Sequence, residues 1–268
     1  MNLKKCSVKK FGVLCPIITL IIFLSFIPNS LPSIKRNYFN TPLSEEKELI
    51  NLLLNKRKDS DNLKKIKNLS FRMSGASVPI LIKAMKSNKF PDKNRWAATF
   101  ILGKIMGKKS VPLLIKYLEH PNFILRLASL KTLLQLKERN LKGNLKKVLR
   151  DKSLLVRIQA LENIKRLKLK KYSNDVWKML FEKKNYHNLK NKKFVRGRII
   201  RKVVRVLGDL NFKRALGPFL KLIQKDHYQD LFFDIDYSLQ KLSGKKSPDG
   251  SEKLKRFFWK KYMKKLSM

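Results

Sequence analysis

A unit of about thirty residues recurs between Ala76 and Leu242, and this period restricts the fold more than any other feature of the chain. Ser77-Val78-Pro79-Ile80-Leu81-Ile82-Lys83 returns 33 residues later as Ser110-Val111-Pro112-Leu113-Leu114-Ile115-Lys116. Arginines stand 31 residues apart at Arg95, Arg126 and Arg157. One helical pair of this length cannot bury its apolar face alone, so successive pairs must stack and complete one another's core. The period therefore predicts an all-α solenoid.

The first regular unit reads as a helix over 78–87, a break at Phe90-Pro91-Asp92 and a second helix over 93–106. Pro91 stands where a missing N–H is tolerated, and Gly107 suits the exit. The same plan gives helices over 111–118 and 123–136 around His120-Pro121, then 141–149 and 154–167 around Asp151-Lys152-Ser153. A fourth pair begins over 175–181, and a basic loop with Lys183, Lys184, Lys190, Lys192 and Lys193 leads into a long helix over 194–210. A fifth pair opens at Pro218 and ends near Leu242. Upstream, Ser44 reads as an N-cap before Glu45 and Glu46. The chain divides into a signal peptide or signal anchor (1–34), a linker (35–43), a degenerate N-terminal pair that caps the stack (44–74), the repeats (75–245) and a basic aromatic capping helix (246–268).

The Val78-Pro79 and Val111-Pro112 openings, the three arginines early in second helices and the Leu102-Gly103 ending resemble the bacterial HEAT-like repeat proteins, including the group named after phycobilisome lyases. Ser238-Leu239-Gln240-Lys241-Leu242-Ser243-Gly244-Lys245, followed by Trp259, is similar to the ending of many bacterial members. The resemblance covers residues 75–265 and implies a right-handed α-solenoid of about five HEAT-like helical pairs, here preceded by an N-terminal signal or anchor helix. It also implies an inter-repeat structural role for Arg95, Arg126 and Arg157 through acids at the start of the second helices. Asp92 and Asp151 suit Arg95 and Arg157, whereas Asn122 stands where the second repeat would need an acid.

Lys and Arg total 63 against 19 Asp and Glu, a formal net charge of +44. Such a field attracts nucleic acid, anionic lipid or acidic protein without choosing among them. The hydrophobic fraction of 43% excludes disorder of the whole chain. Lys4, Lys5, Lys9 and Lys10 precede an uncharged stretch from Phe11 to Ile34. This reads as a retained signal anchor at the cytoplasmic membrane with the repeats outside the cytoplasm, or as a cleaved signal giving a secreted or periplasmic protein. Cys6 and Cys15 both lie in or before that segment, so the repeats carry neither a disulfide framework nor a thiolate nucleophile.

His120, His187 and His227 lie in different units without metal-ligand spacing, so no metal, cofactor or catalytic residue is expected. Asp226, Asp230, Asp234 and Asp236 cluster around the fifth pair, where helical spacing would set Asp226 beside Asp230. A sharper pattern lies on the long fourth-pair helix. Arg198, Arg201, Lys202 and Arg205 recur at three- and four-residue spacing opposite Val195, Ile199, Val203 and Val206, offering forked donors to phosphate or carboxylate. At the C-terminus, Phe257, Phe258, Lys260, Lys261, Lys264 and Lys265 suit an interfacial helix on an anionic bilayer, while Trp259 suits a cap. The expected function is a non-enzymatic scaffold that binds a protein partner through its curved surface. The alternatives are a basic nucleic-acid binder and a peripheral binder of anionic lipid.

Overall fold

The computed structural model describes residues 43–56, 60–141, 143–186 and 197–266. Among the described residues the secondary structure is entirely helical, and the helices alternate between two rows. First helices are α1 (Leu43–Leu54), α3 (Val78–Lys86), α5 (Val111–Lys116), α7 (Asn144–Val148), α9 (Ser173–Lys178) and α11 (Leu216–Leu222). Second helices are α2 (Ser60–Met73), α4 (Asp92–Met106), α6 (Phe123–Gln135), α8 (Leu154–Arg166), α10 (Arg198–Asp209) and α12 (Phe232–Ser243). A last helix, α13 (Glu252–Leu266), packs against α11. Each second helix packs on the next, from α2 through to α12, which makes the chain an α-solenoid.

The recurring sequence elements have local causes. Ser77, Ser110 and Ser173 each donate a side-chain hydrogen bond of 2.7 Å to a carbonyl three residues back, at Ser74, Gly107 and Lys170. This closes the 3-10 turn that leads into the following first helix. Val-Pro then starts the helix, since proline in the first turn forfeits no intrahelical bond. Every second helix ends by a related device: a residue with positive φ follows α2, α4, α6, α8, α10 and α12 in turn, at Ser74, Gly107, Lys137, Lys168, Asn211 and Gly244.

The middle second helices are buried on most sides. In α4, Asn94 to Gly103 are all buried, because α2, α3 and α6 cover it. Helix α6 approaches so closely that a Cβ on Gly103 would lie 2.1 Å from the Thr132 methyl. Where α12 crosses α10, a Cβ on Gly208 would meet the Ser238 Cα at 2.8 Å. These approaches explain the shared Leu102-Gly103 and Leu207-Gly208 endings. Buried amides stitch successive pairs: Asn94 donates to the carbonyls of Leu53 (2.8 Å) and Asn55 (2.9 Å), and Asn163 to that of Leu130 (2.7 Å).

The structure corrects several expectations. Helix α1 already includes Leu43 and Ser44, so Ser44 is not its N-cap. First helices in the middle of the stack are shorter than their apolar runs: α5 and α9 continue as 3-10 turns over Tyr117–Glu119 and Met179–Phe181. Asp226–Leu231 is a 3-10 stretch with a non-helical kink at Tyr228, so Asp226 and Asp230 do not share an α-helical face. The assignment to a membrane anchor in the cell envelope is also corrected. Among the described residues no helix is long and apolar enough to cross a membrane. They run to at most 15 residues, whereas crossing needs about 20 apolar residues. The signal or anchor segment, 1–34, lies outside the described residues.

Candidate functional site

The repeat arginines lie at the breaks between first and second helices. Arg95 is 2% exposed and donates twice to the Met85 carbonyl (3.3 and 3.0 Å) and once to Asp92 (3.1 Å). Asn122 of the next unit donates to the same Asp92 oxygen at 2.7 Å, and its own Oδ1 caps α6 by accepting from the Ile124 N–H. Arg126 reaches forward into the third unit and grips both Asp151 oxygens at 2.7 and 2.8 Å. Asp151 therefore serves Arg126, not Arg157 as its spacing suggested. Arg157 instead donates to the carbonyls of Asp151 and Lys152. Among these groups Asn122, Arg126 and Arg157, which also donates to the Lys184 carbonyl at 3.4 Å, link successive units, and Arg126 bridges the second repeat despite its missing acid.

On the second-helix face, α4, α6 and α8 enclose a groove of about 810 Å³. Its apolar lining comes from Trp96, Phe100, Leu134 and Leu167, and its cations are Lys131, Lys137, Arg139, Arg166 and Lys168. The Lys131 ammonium lies 5.7 Å from the centre of the Trp96 ring. Burial, with the nearby Arg166 charge, lowers the Lys131 pKa to about 8. Trp96 is 2% exposed, and its indole N–H is buried without an acceptor. The acid in the lining, Glu162, accepts from Arg166 (2.7 Å) and Lys202. Burial works to raise the Glu162 pKa, but these two cations outweigh it and hold it below the ordinary carboxylate range.

The groove was missed in the sequence, although the period marks it. Phe100, Lys131 and Glu162 are 31 residues apart, as are Gln135 and Arg166, and Lys137 and Lys168. Equivalent positions of three repeats thus line one wall after another. Reading only the invariant arginine positions concealed them, because at these positions the residue type changes from unit to unit.

Of the basic stripe on α10, Arg198 and Arg201 are exposed. Lys202 is bonded to Glu162 on α8, and Arg205 to Asp234 on α12, with the Arg205 guanidinium 4.9 Å from the centre of the Tyr237 ring. Tyr237 donates to Asp209 at 2.6 Å, and this bond, with burial, pushes its pKa up to about 12. Half of the expected anion stripe is therefore engaged in joining neighbouring repeats. Val195 and the basic-loop residues Lys190, Lys192 and Lys193 lie outside the described residues.

On α13, Trp259 is fully buried and Phe258 and Tyr262 pack partly against the core, leaving Phe257 as the outward ring at 66% exposure. Lys260, Lys261, Lys264 and Lys265 are exposed. The buried Asp236 carboxylate accepts from the Trp259 indole (2.7 Å), Lys255 (3.0 Å), Ser247 (3.1 Å) and Gln240 (3.1 Å). Asp226 pairs with Arg256 at 3.3 Å, so the acids of the fifth pair are dispersed into separate interactions. Among the described residues no group of three or more His, Cys, Asp or Glu side chains could hold a metal ion. His120 stacks on Tyr117 and accepts the Asn122 N–H at 3.0 Å, while His187 lies outside the described residues.

Residues 78–165 match the sequence profile of the HEAT repeats family. No curated protein matches the chain. Among solved structures, the complex of CpcE and CpcF of phycocyanin lyase from Nostoc sp. PCC7120 is similar at 18% identity and a TM-score of 0.43, over 88% of this chain and 99% of that one.

Proposed function

Because the chain is a HEAT-like repeat protein, an architecture whose stacked pairs present long curved surfaces, we propose that it is an interaction scaffold whose second-helix face holds a protein partner. The observation that carries this reading is the groove of about 810 Å³ formed jointly by α4, α6 and α8. A cleft that needs three consecutive repeats is a product of stacking, and its mixture of apolar walls and convergent polar groups is typical of a recognition site. The ion pairs from Glu162 to Lys202 and from Asp234 to Arg205 brace the row beside it.

A photo-crosslinking residue in place of the exposed Gln135, at the groove, tests this against the same residue in place of the exposed Lys116 on the first-helix row. Discrete protein adducts at position 135 and not at 116 are expected in cells. Adducts at 116 alone, or the same adducts at both positions, sink the assignment of the face.

A further inference from the structure

We infer that the groove between α4, α6 and α8 takes an acidic peptide segment of the partner, in which two or more carboxylates flank an apolar side chain. This rests on reading the second-helix face as the binding face, and adds what that face recognises. The lining brings Lys131, Arg139 and Arg166 together with Lys137 and Lys168. The single acid there, Glu162, is already neutralised by Arg166 and Lys202. Lys131 lies against the Trp96 ring and pairs with no carboxylate among the described residues, while the buried Trp96 N–H lacks an acceptor. Lys131 is thus a donor awaiting an acceptor, and an ammonium in partly desolvated surroundings gains most from a carboxylate.

The backbone provides a separate observation. Lys137 and Lys168 follow α6 and α8 with φ of 52° and 51°, positive values of the kind that Gly107 and Gly244 take after α4 and α12. Lysine is strained there and glycine is not. Two of the four non-glycine residues with positive φ among the described residues, Lys137 and Lys168, border the groove, and there each lysine supplies a cation; the others, Ser74 and Asn211, follow α2 and α10.

The same geometry disfavours nucleic acid. Bases stack on open aromatic faces, yet Trp96 and Phe100 are both buried. Phosphates need a continuous row of available cations, and on α10 Lys202 and Arg205 are committed to Glu162 and Asp234. A peptide side chain can instead rest against the half-buried Leu134 and Leu167 while its neighbouring carboxylates meet the rim.

The test uses fluorescence anisotropy with the full chain and three labelled probes: a peptide of alternating Glu and Leu, its Gln and Leu counterpart, and an oligothymidylate of matching length. The groove variant is Lys137→Gly with Lys168→Gly, which relieves backbone strain and so cannot lose binding by unfolding; the control, Lys86→Ala with Lys116→Ala, removes the same charge from exposed sites on the first-helix row. The Glu peptide should bind at least about tenfold more tightly than the Gln peptide, and the groove variant should lose about tenfold of that affinity while the control loses less than about twofold. The groove variant should melt no lower than the parent. Equal losses in both variants assign the binding to the diffuse net charge and overturn the inference. So does an absent preference for Glu, an absence of binding, or tighter oligothymidylate binding that the groove variant abolishes. Should adducts form at position 135 without a preference for Glu, the acidic specificity alone fails; without those adducts the binding face itself is misassigned.

Discussion

Lys131 carries its charge into surroundings that resist it, and this has a measurable effect on stability. Burial first, and the Arg166 charge second, lower its pKa to about 8 from the ordinary 10.5. Between these values the unfolded chain binds the proton more strongly than the folded one, so stability from this group rises as pH increases from about 8 to 10.5 and is lowest below pH 8. Lys131→Met should therefore stabilise the fold at pH 7 by about 1–2 kcal/mol, less than the full shift implies because the amine remains partly hydrated. Its advantage over the parent should shrink as pH approaches 10.5, and denaturant titrations at pH 7 and pH 10 check this; a gap that stays constant refutes the buried-amine account. Asp151 gives the converse case. It holds both arms of Arg126 and also accepts the Ser153 N–H at 2.7 Å. Asp151→Ala leaves a largely buried guanidinium without its counter-ion and should cost about 3 kcal/mol in the same assay, with Asp151→Asn recovering part of the loss.

Within the elements, the tightest constraint is the crossing of α10 and α12. A methyl group at position 208 would press on the Ser238 Cα, which belongs to the helix backbone and cannot rotate away. Ser238 is further fixed by hydrogen bonds of 2.9 Å to the carbonyls of Val204 and Asp234. Gly208→Ala should therefore cost about 2–3 kcal/mol, despite alanine's better helix propensity. An unchanged unfolding midpoint would show that the helices can separate freely. The crossing itself was not legible in the sequence, but the second helices were, because their apolar pattern and Pro or Asp starts are local signals. The shortened first helices were not, because an apolar run continues through a 3-10 turn as readily as through an α-helix: Tyr117 and Leu118 stay buried in either geometry. The pairing of Arg126 with Asp151 was misread for a similar reason. Spacing along one helix suggests a partner within the repeat, whereas stacking brings the next repeat's acid closer. Trp96, Lys131 and Lys168 escaped notice because a groove belongs to three units at once, and no single unit displays it.

Across the whole molecule, a stack of pairs is as stable as its exposed ends allow, since each unit has neighbours only before and after it. Here the end is closed by α13, and the closure depends on one buried carboxylate. Asp236, 3% exposed, gathers the Trp259 indole, the Lys255 ammonium, Ser247 and Gln240 around it. Asp236→Ala removes the acceptor from a fully buried tryptophan and the counter-ion from a largely buried lysine, each a desolvated donor left unpaired. The expected loss is about 3 kcal/mol, concentrated at this end because the units before α10 do not share its hydrogen bonds. Amide hydrogen exchange should show α11, α12 and α13 losing protection together while α4 and α6 retain theirs. Uniform loss along the chain would instead mean that the solenoid unfolds as one cooperative block, and that α13 is bound to the whole stack rather than sealing one end.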